Sequence, residues 1–403
     1  MVLLMKVNLT RGAFRQDLGP AADAYPVGVT KVLLAPPTWR SATPRGNGAD
    51  DDAPVPDVRP DVPGLVDQHG RVATDLRVSL TDRCNLRCTY CMPAEGQRWL
   101  APKNVLTDDE IIRLVTIAVR DLGIREVRFT GGEPLLRKGL ERIVAATANL
   151  RLADGGRPET SLTTNGLGLR RRAAGLAQAG LTRVNVSLDT LDRARYATLT
   201  RRDRLDAVLA GLAAADAAGL RPVKINTVLM RGVNDHEAVA LLTWALEHAY
   251  ELRFIEQMPL GPADAWHLAD MVTADEILAS LRAVFTLTDP APTSRGAAPA
   301  QTWVVGDGGS GAAGLRGTVG IVASVTRPFC GDCDRVRLTA DGRLRDCLFA
   351  QGETDLIGRL RSGATDGEIA ETWRRAMWEK LPRHRITLPG FVQPNRPMSA
   401  IGG

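Results

Sequence analysis

The chain has 403 residues, of which 44% are hydrophobic and 24% are charged, and its formal net charge is +5. This composition is ordinary for a globular protein and is large enough for one sizeable domain and a smaller one. No apolar run reaches the roughly 18 residues that cross a bilayer, and no basic run with interleaved aromatic residues indicates a nucleic-acid surface. We therefore expect a cytoplasmic protein with reduced thiols that binds neither membranes nor nucleic acid.

The sequence divides into three segments that differ in composition and in the periodicity of their apolar residues. Residues 1–70 are rich in Pro, Asp, Gly and Ala with little apolar periodicity, which predicts a disordered or weakly ordered N-terminal extension. Residues 71–260 alternate β-rich runs with amphipathic helical patterns. Residues 261–403 predict a smaller domain, which carries a low-complexity insert near 289–314 that we expect to be a solvated decoration.

Six short β-rich runs punctuate the central segment. Helical patterns separate them, such as 107–122, which opens with a capping box of Thr107 and Glu110, and 204–218. The runs are Leu76–Leu80, Glu126–Thr130, Thr160–Thr164, Arg183–Leu188, Val223–Leu229 and Glu251–Ile255. Strand–helix alternation predicts an α/β fold with a parallel sheet. Because six units are fewer than the eight of a closed barrel, we expect an open partial (βα)6 barrel with a smaller C-terminal α+β domain.

Polar and glycine-rich motifs follow five of these predicted strands. They are the segment from Thr81 onward, Thr130–Pro134, Thr163–Gly166, Ser187–Asp189 and Gln257–Pro259. In parallel α/β folds the chemistry lies at the carboxyl ends of the strands. The sequence therefore predicts one functional mouth at that end of the sheet.

Three cysteines, Cys84, Cys88 and Cys91, follow the first predicted strand with the spacing C-x3-C-x2-C. A disulfide framework suits neither an odd number of thiols nor a reducing compartment. A zinc ion would need a fourth ligand, whereas a four-iron cluster held by three thiolates keeps one iron open. Spacing alone leaves both kinds of metal site open.

A second triplet, Cys330, Cys333 and Cys347, has the spacing C-x2-C-x13-C and the same missing fourth ligand. A zinc ribbon that lacks one ligand, or a structural clip for a small domain, is the plain interpretation. A second open cluster would instead present an unsaturated iron to a substrate. This alternative also stays open at the level of spacing.

The first triplet and the motif after the second strand together resemble the radical S-adenosylmethionine (SAM) superfamily. Tyr90 stands just before the last cysteine of the first loop, and Gly131–Pro134 reads Gly-Gly-Glu-Pro. The resemblance implies that Cys84, Cys88 and Cys91 hold a [4Fe–4S] cluster whose open iron binds SAM. It also implies reductive cleavage of SAM to a 5′-deoxyadenosyl radical, with glycines that allow close backbone approach to the methionine moiety.

The two triplets taken together resemble the GTP 3′,8-cyclase family of molybdenum cofactor biosynthesis. Arg335-Val336-Arg337 after Cys333 and the terminal Gly402-Gly403 extend the resemblance, which runs from about Leu76 to the C-terminus. It implies a second [4Fe–4S] cluster on Cys330, Cys333 and Cys347, whose open iron binds the purine of GTP. The terminal glycine pair would reach into the active site and belong to the catalytic set with the first triplet.

Position by position, the resemblance implies contacts to SAM and to GTP. The implied SAM contacts are Tyr90, Gly132, Ser187 and Met258. The implied GTP contacts are Arg77, Arg128, Thr163, Lys224, Arg335, Val336 and Arg337. Guanidinium groups suit a triphosphate because each offers a planar fork of donors to its oxygens. Taken alone, Arg77 or Arg128 could be an ordinary ion-paired residue, and Met258 could be a core residue. The prediction of SAM and GTP contacts therefore depends on all of these residues together.

The implied enzyme is a radical SAM lyase that converts GTP to (8S)-3′,8-cyclo-7,8-dihydroguanosine 5′-triphosphate. The radical takes hydrogen from C3′, and C3′ then attacks C8 of the guanine. We expect an external one-electron reductant. Docking of a downstream cyclic pyranopterin monophosphate synthase and a homodimer are left open. The rivals are a peptide-modifying maturase with an auxiliary cluster, which would commonly carry more cysteines after Cys347, and a non-catalytic iron–sulfur protein, in which the strand-end motifs would be idle.

Overall fold

The computed structural model describes residues 58–262, 266–289, 296–306 and 314–402. The predicted extension up to residue 57, residues 290–295 and 307–313 of the insert, and Gly403 lie outside the described residues. Within the described ranges, no helix is both long enough and apolar enough to span a bilayer.

The described strands are β1 (Leu65–Val66), β2 (Val72–Ala73), β3 (Asp75–Ser79), β4 (Glu126–Thr130), β5 (Glu159–Thr164), β6 (Arg183–Ser187), β7 (Val223–Val228), β8 (Glu251–Ile255), β9 (Thr286–Thr288), β10 (Gln301–Gly306), β11 (Gly317–Val322), β12 (Arg335–Leu338), β13 (Arg343–Arg345) and β14 (Thr354–Asp355). The described α-helices are α1 (Asp108–Asp121), α2 (Leu140–Ala148), α3 (Leu169–Gln178), α4 (Arg193–Thr200), α5 (Leu205–Ala217), α6 (Ala238–Glu247), α7 (Ala274–Arg282), α8 (Ile357–Arg361), α9 (Asp366–Trp378) and α10 (Met398–Ile401). Short 3-10 helices cover Pro102–Asn104, Pro134–Leu136, Asp235–Glu237, Leu268–Asp270 and Cys330–Asp332.

The main sheet has the strand order β14-β13-β12-β3-β4-β5-β6-β7-β8-β11-β10-β9. Strands β3 to β8 pair in chain order and all run parallel, as the alternation of strands and helices predicts. Their bounds match the six β-rich runs to within one or two residues at each end. The parallel sheet predicted from the sequence is therefore confirmed.

Strands from the predicted C-terminal domain extend the same sheet at both edges. β12 pairs in parallel with β3, and β11 pairs in parallel with β8. Both edges of the six-stranded unit are thus covered by later parts of the chain. The domain boundary near residue 260 stays a prediction, because the sheet is continuous across it.

The helices begin where the sequence signals predict. Thr107 caps α1 and forms a capping box with Glu110, and Thr273 forms another with Glu276 at the start of α7. Each box satisfies backbone N–H groups that the first helical turn would leave unpaired. The predicted helix over 204–218 is α5.

Alternate residues along the parallel strands divide between two faces. The side chains that pack against the helices are apolar and fully or almost fully buried, and they include Leu76, Val78, Val127, Phe129, Val184, Val186, Ile225 and Leu252. Since side chains alternate with a period of two, the intervening residues point to the opposite face, here called the inner face. That face carries mainly charged and polar residues.

Two arginines on distant strands share the inner face. Arg128 lies on β4 and Arg253 on β8, four strands away in the sheet order. Burial, and then the charge of Arg128, lower the pKa of Arg253 to about 10. A curved sheet, such as that of the predicted open partial barrel, would bring two such side chains closer together than a flat one.

A short hairpin precedes the sheet. β1 pairs with β2, Leu65 is fully buried, and the Asp67 carboxylate accepts a hydrogen bond of 2.5 Å from the Arg71 guanidinium. The hairpin begins inside the segment that the sequence predicts to be weakly ordered. Its strands have only two residues each, too few for a period of two to be read from the sequence.

Candidate active site

The first cysteine loop leaves the carboxyl end of β3 and packs against the end of α4. Backbone N–H groups of Arg87 and Thr89 donate to the carbonyls of Thr200 (3.1 Å) and Leu199 (2.9 Å). Within the loop, Cys91 N donates to Cys88 O at 3.0 Å. All three cysteines are free thiols and partly exposed. The loop is therefore a preformed turn that presents three sulfurs.

The surroundings of these sulfurs suit a cationic group. Cys84 Sγ accepts hydrogen bonds from Leu86 N (3.4 Å) and Asn165 Nδ2 (3.7 Å). Burial raises the pKa of Cys84 and Cys88, and burial followed by the charge of Cys84 raises that of Cys91 to about 12. Because thiolates are the metal ligands, ionisation of this triplet needs a compensating positive charge, which a metal cluster would supply.

Among the described residues, no three His, Cys, Asp or Glu side chains are arranged to hold a single metal ion. The resemblance implies an iron–sulfur cluster at each triplet, and the surroundings of the thiols test whether such a group fits. Three free thiols on one ordered turn, with N–H donors directed at the sulfur, match the donor chemistry of an iron–sulfur cluster. The first triplet fits such a group.

The Gly-Gly-Glu-Pro segment packs directly against the strand end that leads to Cys84. A Cβ atom on Gly131, whose φ is +140°, would lie 2.4 Å from Thr81 O, and one on Gly132 would lie 2.3 Å from Arg83 O. Neither position tolerates a side chain without displacing this backbone. The close approach that requires glycine is thus to the cysteine loop itself, and a contact of Gly132 with SAM remains a prediction.

Glu133 joins this segment to the next strand end. Its fully buried carboxylate accepts hydrogen bonds from Thr164 Oγ1 (2.7 Å), Asn165 N (2.7 Å) and Leu135 N (2.9 Å). Burial raises its pKa to about 7 in spite of these donors. Glu133 therefore fixes Asn165, the residue that hydrogen-bonds Cys84.

Two cavities adjoin the first triplet. One is lined by residues that include Cys88, Tyr90, Asn165, Ser187 and Asp189, and the other by residues that include Tyr90, Cys91, Gln257, Met258 and Met398. The structure thus brings three of the predicted SAM contacts, Tyr90, Ser187 and Met258, to the cysteines. The fourth, Gly132, lies behind the loop.

Asp189 fixes the side chain of Tyr90, which lines both cavities. Its carboxylate accepts hydrogen bonds from Tyr90 Oη (2.8 Å) and Val228 N (2.9 Å), and burial raises its pKa to about 6. Asp189 was not assigned a role from the sequence. Its signal was its place at the end of a predicted strand, in the Ser187–Asp189 motif.

The cation cluster occupies the inner face between the two triplets. We define it as Arg77, Arg128, Arg183, Lys224, Arg253, Arg335 and Arg337. In the strand register, Arg77 lies opposite both Arg128 and Arg337. The cluster contains the five basic residues that the resemblance assigns to GTP, and two more, Arg183 and Arg253, that it does not. Both could have been found by following the alternation along β6 and β8.

Asp75 is the carboxylate on which the arginines converge. Its Oδ2 lies 3.7 Å from Arg128 Nη2, 3.7 Å from Arg335 Nε and 3.9 Å from Arg77 Nε. Burial would raise the pKa of Asp75, but these arginines outweigh burial and lower it. Burial, followed by the charges of Arg128 and Arg337, lowers the pKa of Arg77 well below its usual range.

The cation cluster keeps an excess of positive charge. Its carboxylate partners among the described residues are Asp75, Glu126, Glu159, Glu251 and Asp334. Several buried polar atoms on the inner face also have no hydrogen-bond partner in the described part of the chain. They are Asp75 Oδ1, Arg77 Nε, Ser79 Oγ, Arg128 Nε, Asn185 Oδ1 and Nδ2, Asn226 Oδ1 and Arg335 Nε. Buried polar atoms are normally paired, so this face is suited to a polar, anionic ligand.

Val336 lies on the other face of β12 from its two neighbours. It alternates with Arg335 and Arg337, so its side chain points to the opposite face and is fully buried in the hydrophobic core. It pairs with Leu76, another core residue. The contact of Val336 with GTP stays a prediction, and it would have to come from the backbone. Thr163 lies opposite Asn185 in the register, on the inner face.

The second triplet lies at the other end of the β3–β12 pair. Cys330 and Cys333 flank the turn before β12, and Cys347 follows β13; all three are free thiols. Lys380 Nζ lies 3.4 Å from Cys333 Sγ. Burial raises the pKa of Cys333, but Lys380 and Arg335 outweigh burial and lower it. This triplet thus also fits a metal group that binds thiolates.

The cation cluster separates the two triplets. Cys84 follows the carboxyl end of β3, whereas Cys333 precedes the amino end of β12, which runs parallel to β3. The five residues of β3 span roughly 17 Å at the usual rise of a strand. A molecule of nucleotide size on the inner face could therefore reach toward both triplets.

The C-terminal tail enters the inner face. Gly402 has φ of +76° and its carbonyl accepts a hydrogen bond from Arg337 Nη1. A Cβ atom at Gly402 would lie 2.4 Å from Ser79 Oγ and 2.7 Å from Thr130 Cγ2. Only glycine fits here, as predicted for the end of the chain, although the predicted role of Gly403 lies outside the described residues.

Comparisons with known proteins agree with this geometry. The Radical SAM superfamily model matches residues 78–245, and the Molybdenum Cofactor Synthesis C model matches residues 250–386. The GTP 3′,8-cyclase of Corynebacterium glutamicum is 61% identical over 84% of this chain and 89% of its own length. That of Streptomyces coelicolor is 63% identical over 84% and 96%, and GTP 3′,8-cyclase 2 of Mycobacterium tuberculosis is 56% identical over 93% and 100%.

Among solved structures, the fold is similar to Streptococcus suis SuiB. The TM-score is 0.51 at 14% identity, over 76% of this chain and 67% of that one. SuiB bound to S-adenosylmethionine gives a TM-score of 0.50 at 14% identity, over 75% and 69%. At this identity the likeness concerns the fold alone, and it agrees with the predicted fold class.

Proposed function

The chain belongs to the GTP 3′,8-cyclase family of radical SAM enzymes, and we propose that its inner face is where GTP becomes (8S)-3′,8-cyclo-7,8-dihydroguanosine 5′-triphosphate. This reaction is an early step of molybdenum cofactor biosynthesis, and we assign it to the lyases. The observation that carries the proposal is the cation cluster, which lies between two cysteine triplets and keeps buried polar atoms without partners.

SAM and a [4Fe–4S] cluster are the cofactors of the radical SAM family. We assign the cluster to Cys84, Cys88 and Cys91, and the SAM contacts to the surfaces around Tyr90, Ser187 and Met258, with Gly132 shaping the loop. When bound, these cofactors supply the radical that takes hydrogen from the ribose. Asp189 holds Tyr90 in place, and Glu133 holds Asn165 against Cys84.

We assign the triphosphate of GTP to the cation cluster. Arg77, Arg128, Arg335 and Arg337 lie on three adjacent strands, and Lys224 lies farther along the sheet. Burial and then repulsion from Arg128 and Arg337 lower the pKa of Arg77, and a polyanion would offset both effects. Thr163, and the side-chain atoms of Asn185 and Asn226 that lack partners among the described residues, offer neutral hydrogen-bonding groups for the nucleoside.

A second [4Fe–4S] cluster on Cys330, Cys333 and Cys347 would place an open iron at the far end of the inner face. The observations that support it are three free thiols on ordered turns and the nearby cations of Lys380 and Arg335. We propose that the purine binds there while the ribose lies toward the first triplet. Gly402, and Gly403 after it, would border the ribose.

The reaction also needs an external one-electron reductant, and we expect the chain to act in the cytoplasm, where thiols stay reduced. Docking of a downstream cyclic pyranopterin monophosphate synthase and a homodimer stay predictions. No side-chain base is required for hydrogen abstraction by a radical. Hydrogen abstraction therefore needs the inner face only to bind, orient and exclude water. The radical that remains after C3′ attacks C8 takes up one electron from the reductant and one proton to give the dihydro product.

An anaerobic incubation of the reconstituted enzyme with dithionite, SAM and GTP tests the proposed function. We expect 5′-deoxyadenosine and a cyclised nucleotide to form together, and SAM cleavage to depend on GTP. Omission of GTP, or its replacement by ATP, is the control. Cleavage that ignores GTP, or the absence of 5′-deoxyadenosine in every condition, would contradict the proposal.

A further inference from the structure

Lys380 is a buried cation that lies next to the second cysteine triplet. It follows α9, and only 2% of it is exposed. Its ammonium donates to Arg335 O at 2.9 Å, to Cys333 O at 3.3 Å and to Cys333 Sγ at 3.4 Å. A lysine buried to this degree normally faces a counter-charge, because desolvation of an unpaired ammonium costs several kcal/mol.

No carboxylate pairs with Lys380 in the part of the chain that the structure describes. Asp346 is near enough to feel its charge but makes no ion pair or hydrogen bond with it within the described ranges. The acceptors that Lys380 does have are two neutral carbonyls and one sulfur. A neutral thiol is a weak acceptor, whereas a thiolate carries the charge that the ammonium lacks.

We propose that Lys380 is a positioning residue for the second cluster, where it hydrogen-bonds the metal-bound sulfur of Cys333 and offsets its negative charge. This inference rests on the proposed function, because it assumes that Cys330, Cys333 and Cys347 hold a cluster. The bond to Arg335 O has a second consequence. Lys380 connects Cys333, a ligand of the second iron–sulfur cluster, to the strand that carries the arginines assigned to GTP. The iron–sulfur cluster and the cation cluster therefore keep a fixed separation.

The positive charge of Lys380 determines the direction in which it shifts the midpoint potential of the second cluster. A cation beside a ligand sulfur stabilises the reduced, more negative state of a cluster, and hydrogen bonds to the sulfurs act in the same direction. Removal of Lys380 should therefore make the midpoint potential of the second cluster more negative. It should also weaken retention of the cluster, because one thiolate then lacks its compensating charge.

Arg71 supplies a matched control, because its side chain contacts the same cysteine turn. It is also buried, and it donates to Cys330 O (2.8 Å), Pro382 O (2.8 Å) and Leu381 O (2.7 Å). Unlike Lys380 it has its own carboxylate, Asp67, and no sulfur contact among the described residues. Loss of Arg71 would loosen the turn and remove a charge that favours the Cys330 thiolate, but it would break no hydrogen bond to a sulfur among the described residues.

The test uses the full chain with Cys84, Cys88 and Cys91 replaced by alanine, so that only the second triplet can hold iron. K380M, K380R and R71M are made in this parent and reconstituted anaerobically with iron and sulfide. Iron per chain and the midpoint potential, from a redox titration followed by electron paramagnetic resonance, are the readouts. We expect K380M to lose at least half of the iron or to shift the potential negative, and K380R to recover most of the change. R71M should shift the potential less than K380M does, because Asp67 already offsets the charge of Arg71.

The outcomes separate the two proposals. A parent that binds no cluster contradicts the second cluster of the proposed function. A parent that binds a cluster, with a K380M variant equal to it in iron content and potential, overturns the role of Lys380 alone, as does an equal potential shift in R71M. If K380M fails to fold, as judged by circular dichroism, K380Q replaces it, and the same two readouts decide.

Discussion

The inner face of the sheet carries more positive than negative charges, and arginines face one another across neighbouring strands. Arg77 lies opposite both Arg128 and Arg337, and the pKa of Arg337 falls to about 10 because the residue is buried. This arrangement costs stability in the free protein. It is compensated when an anion binds, so each arginine should contribute to ligand affinity more than to folding.

Arg335 and Val336 provide a test of this division, because they are adjacent residues on opposite faces of β12. We expect Arg335→Ala to weaken GTP binding by about 1.5–3 kcal/mol, the usual loss for a hydrogen bond to a charged group. Equilibrium binding of GTP under anaerobic conditions measures this change. Val336→Ala is the control: it should leave the dissociation constant unchanged and lower the free energy of unfolding by roughly 2 kcal/mol. Weaker GTP binding in both variants would contradict the assignment of faces.

The raised pKa of Glu133 predicts that the free energy of unfolding depends on pH. Its pKa in the folded chain is about 7, above the ordinary 4.5, so the folded state keeps a proton that the unfolded state releases between these values. Its contribution is therefore complete below pH 4.5 and is lost as the pH rises through 7, by about 3 kcal/mol in all. We expect the stability of the wild type relative to Glu133→Gln to fall by about this amount between pH 4.5 and 8, in urea unfolding of the metal-free chain.

Glu141 is the control for this titration. Its hydrogen bond to Arg172 lowers its pKa, so its stabilising charge is already complete above pH 4.5 and is lost only as the pH falls below that value. Glu141→Gln should therefore show no change relative to wild type between pH 5 and 8. If the difference in unfolding free energy between the wild type and Glu133→Gln stays constant over the same range, the Glu133 carboxylate of the wild type ionises normally.

At the scale of elements, the C-terminal tail connects parts of the site that are far apart in sequence. Arg396 anchors it by two hydrogen bonds of 2.8 Å to the Asp341 carboxylate, and Met398 N donates to Leu260 O at 3.1 Å. Beyond α10, Gly402 reaches the inner face beside Ser79 and contacts Arg337. The tail thus closes one side of the space assigned to GTP.

Gly402→Ala should disturb this element alone. The added methyl group would lie 2.4 Å from Ser79 Oγ, and the positive φ is unfavourable for alanine, so the tail must move. We expect the rate of cyclisation to fall by about a hundredfold, because displacement of a reacting group by about 1 Å has an effect of that order. Formation of cyclised nucleotide and binding of SAM are measured together, and SAM binding should be retained.

Gly367→Ala is a matched control within α9. No atom lies within 4 Å of the added methyl group, and its φ is not positive, so activity should be unchanged. Normal activity in Gly402→Ala would show that the tail does not border the reacting atoms.

At the scale of the whole molecule, the pairing of β12 with β3 decides where the two triplets lie. Cys84 and Cys333 are far apart in sequence, yet they occupy opposite ends of one strand pair, with the cation cluster between them. Each triplet sits on its own turn and shares no ligand with the other among the described residues. The two metal sites should therefore assemble independently.

Replacement of all three cysteines of one triplet by alanine tests this independence. We expect each triple variant to retain about half of the wild-type iron, since the two clusters are of the same type. Loss of Cys84, Cys88 and Cys91 should abolish SAM cleavage and leave GTP binding, whereas loss of Cys330, Cys333 and Cys347 should weaken GTP binding. Loss of all iron from either variant, with the chain still folded by circular dichroism, would contradict independent assembly.

Local patterns were enough to predict the parallel sheet, the start of α1 and the two triplets. Strand bounds followed from runs of β-branched and apolar residues, and the cap of α1 from side-chain spacing, because these signals depend on near neighbours. The same alternation would have placed Val336 in the core and Arg183 and Arg253 on the inner face. Arg183 and Arg253 were missed because the resemblance assigns residues without regard to the face of the strand that each one occupies.

The sequence by itself determined which chemical groups this protein has: two sets of three thiols, a glycine-rich strand end and arginines on alternate strand positions. Only the tertiary structure decided which of them meet. Pairing of β12 with β3 and the burial of Lys380 against Cys333 join residues that are distant in the chain. Such contacts depend on register and packing, which no local pattern encodes.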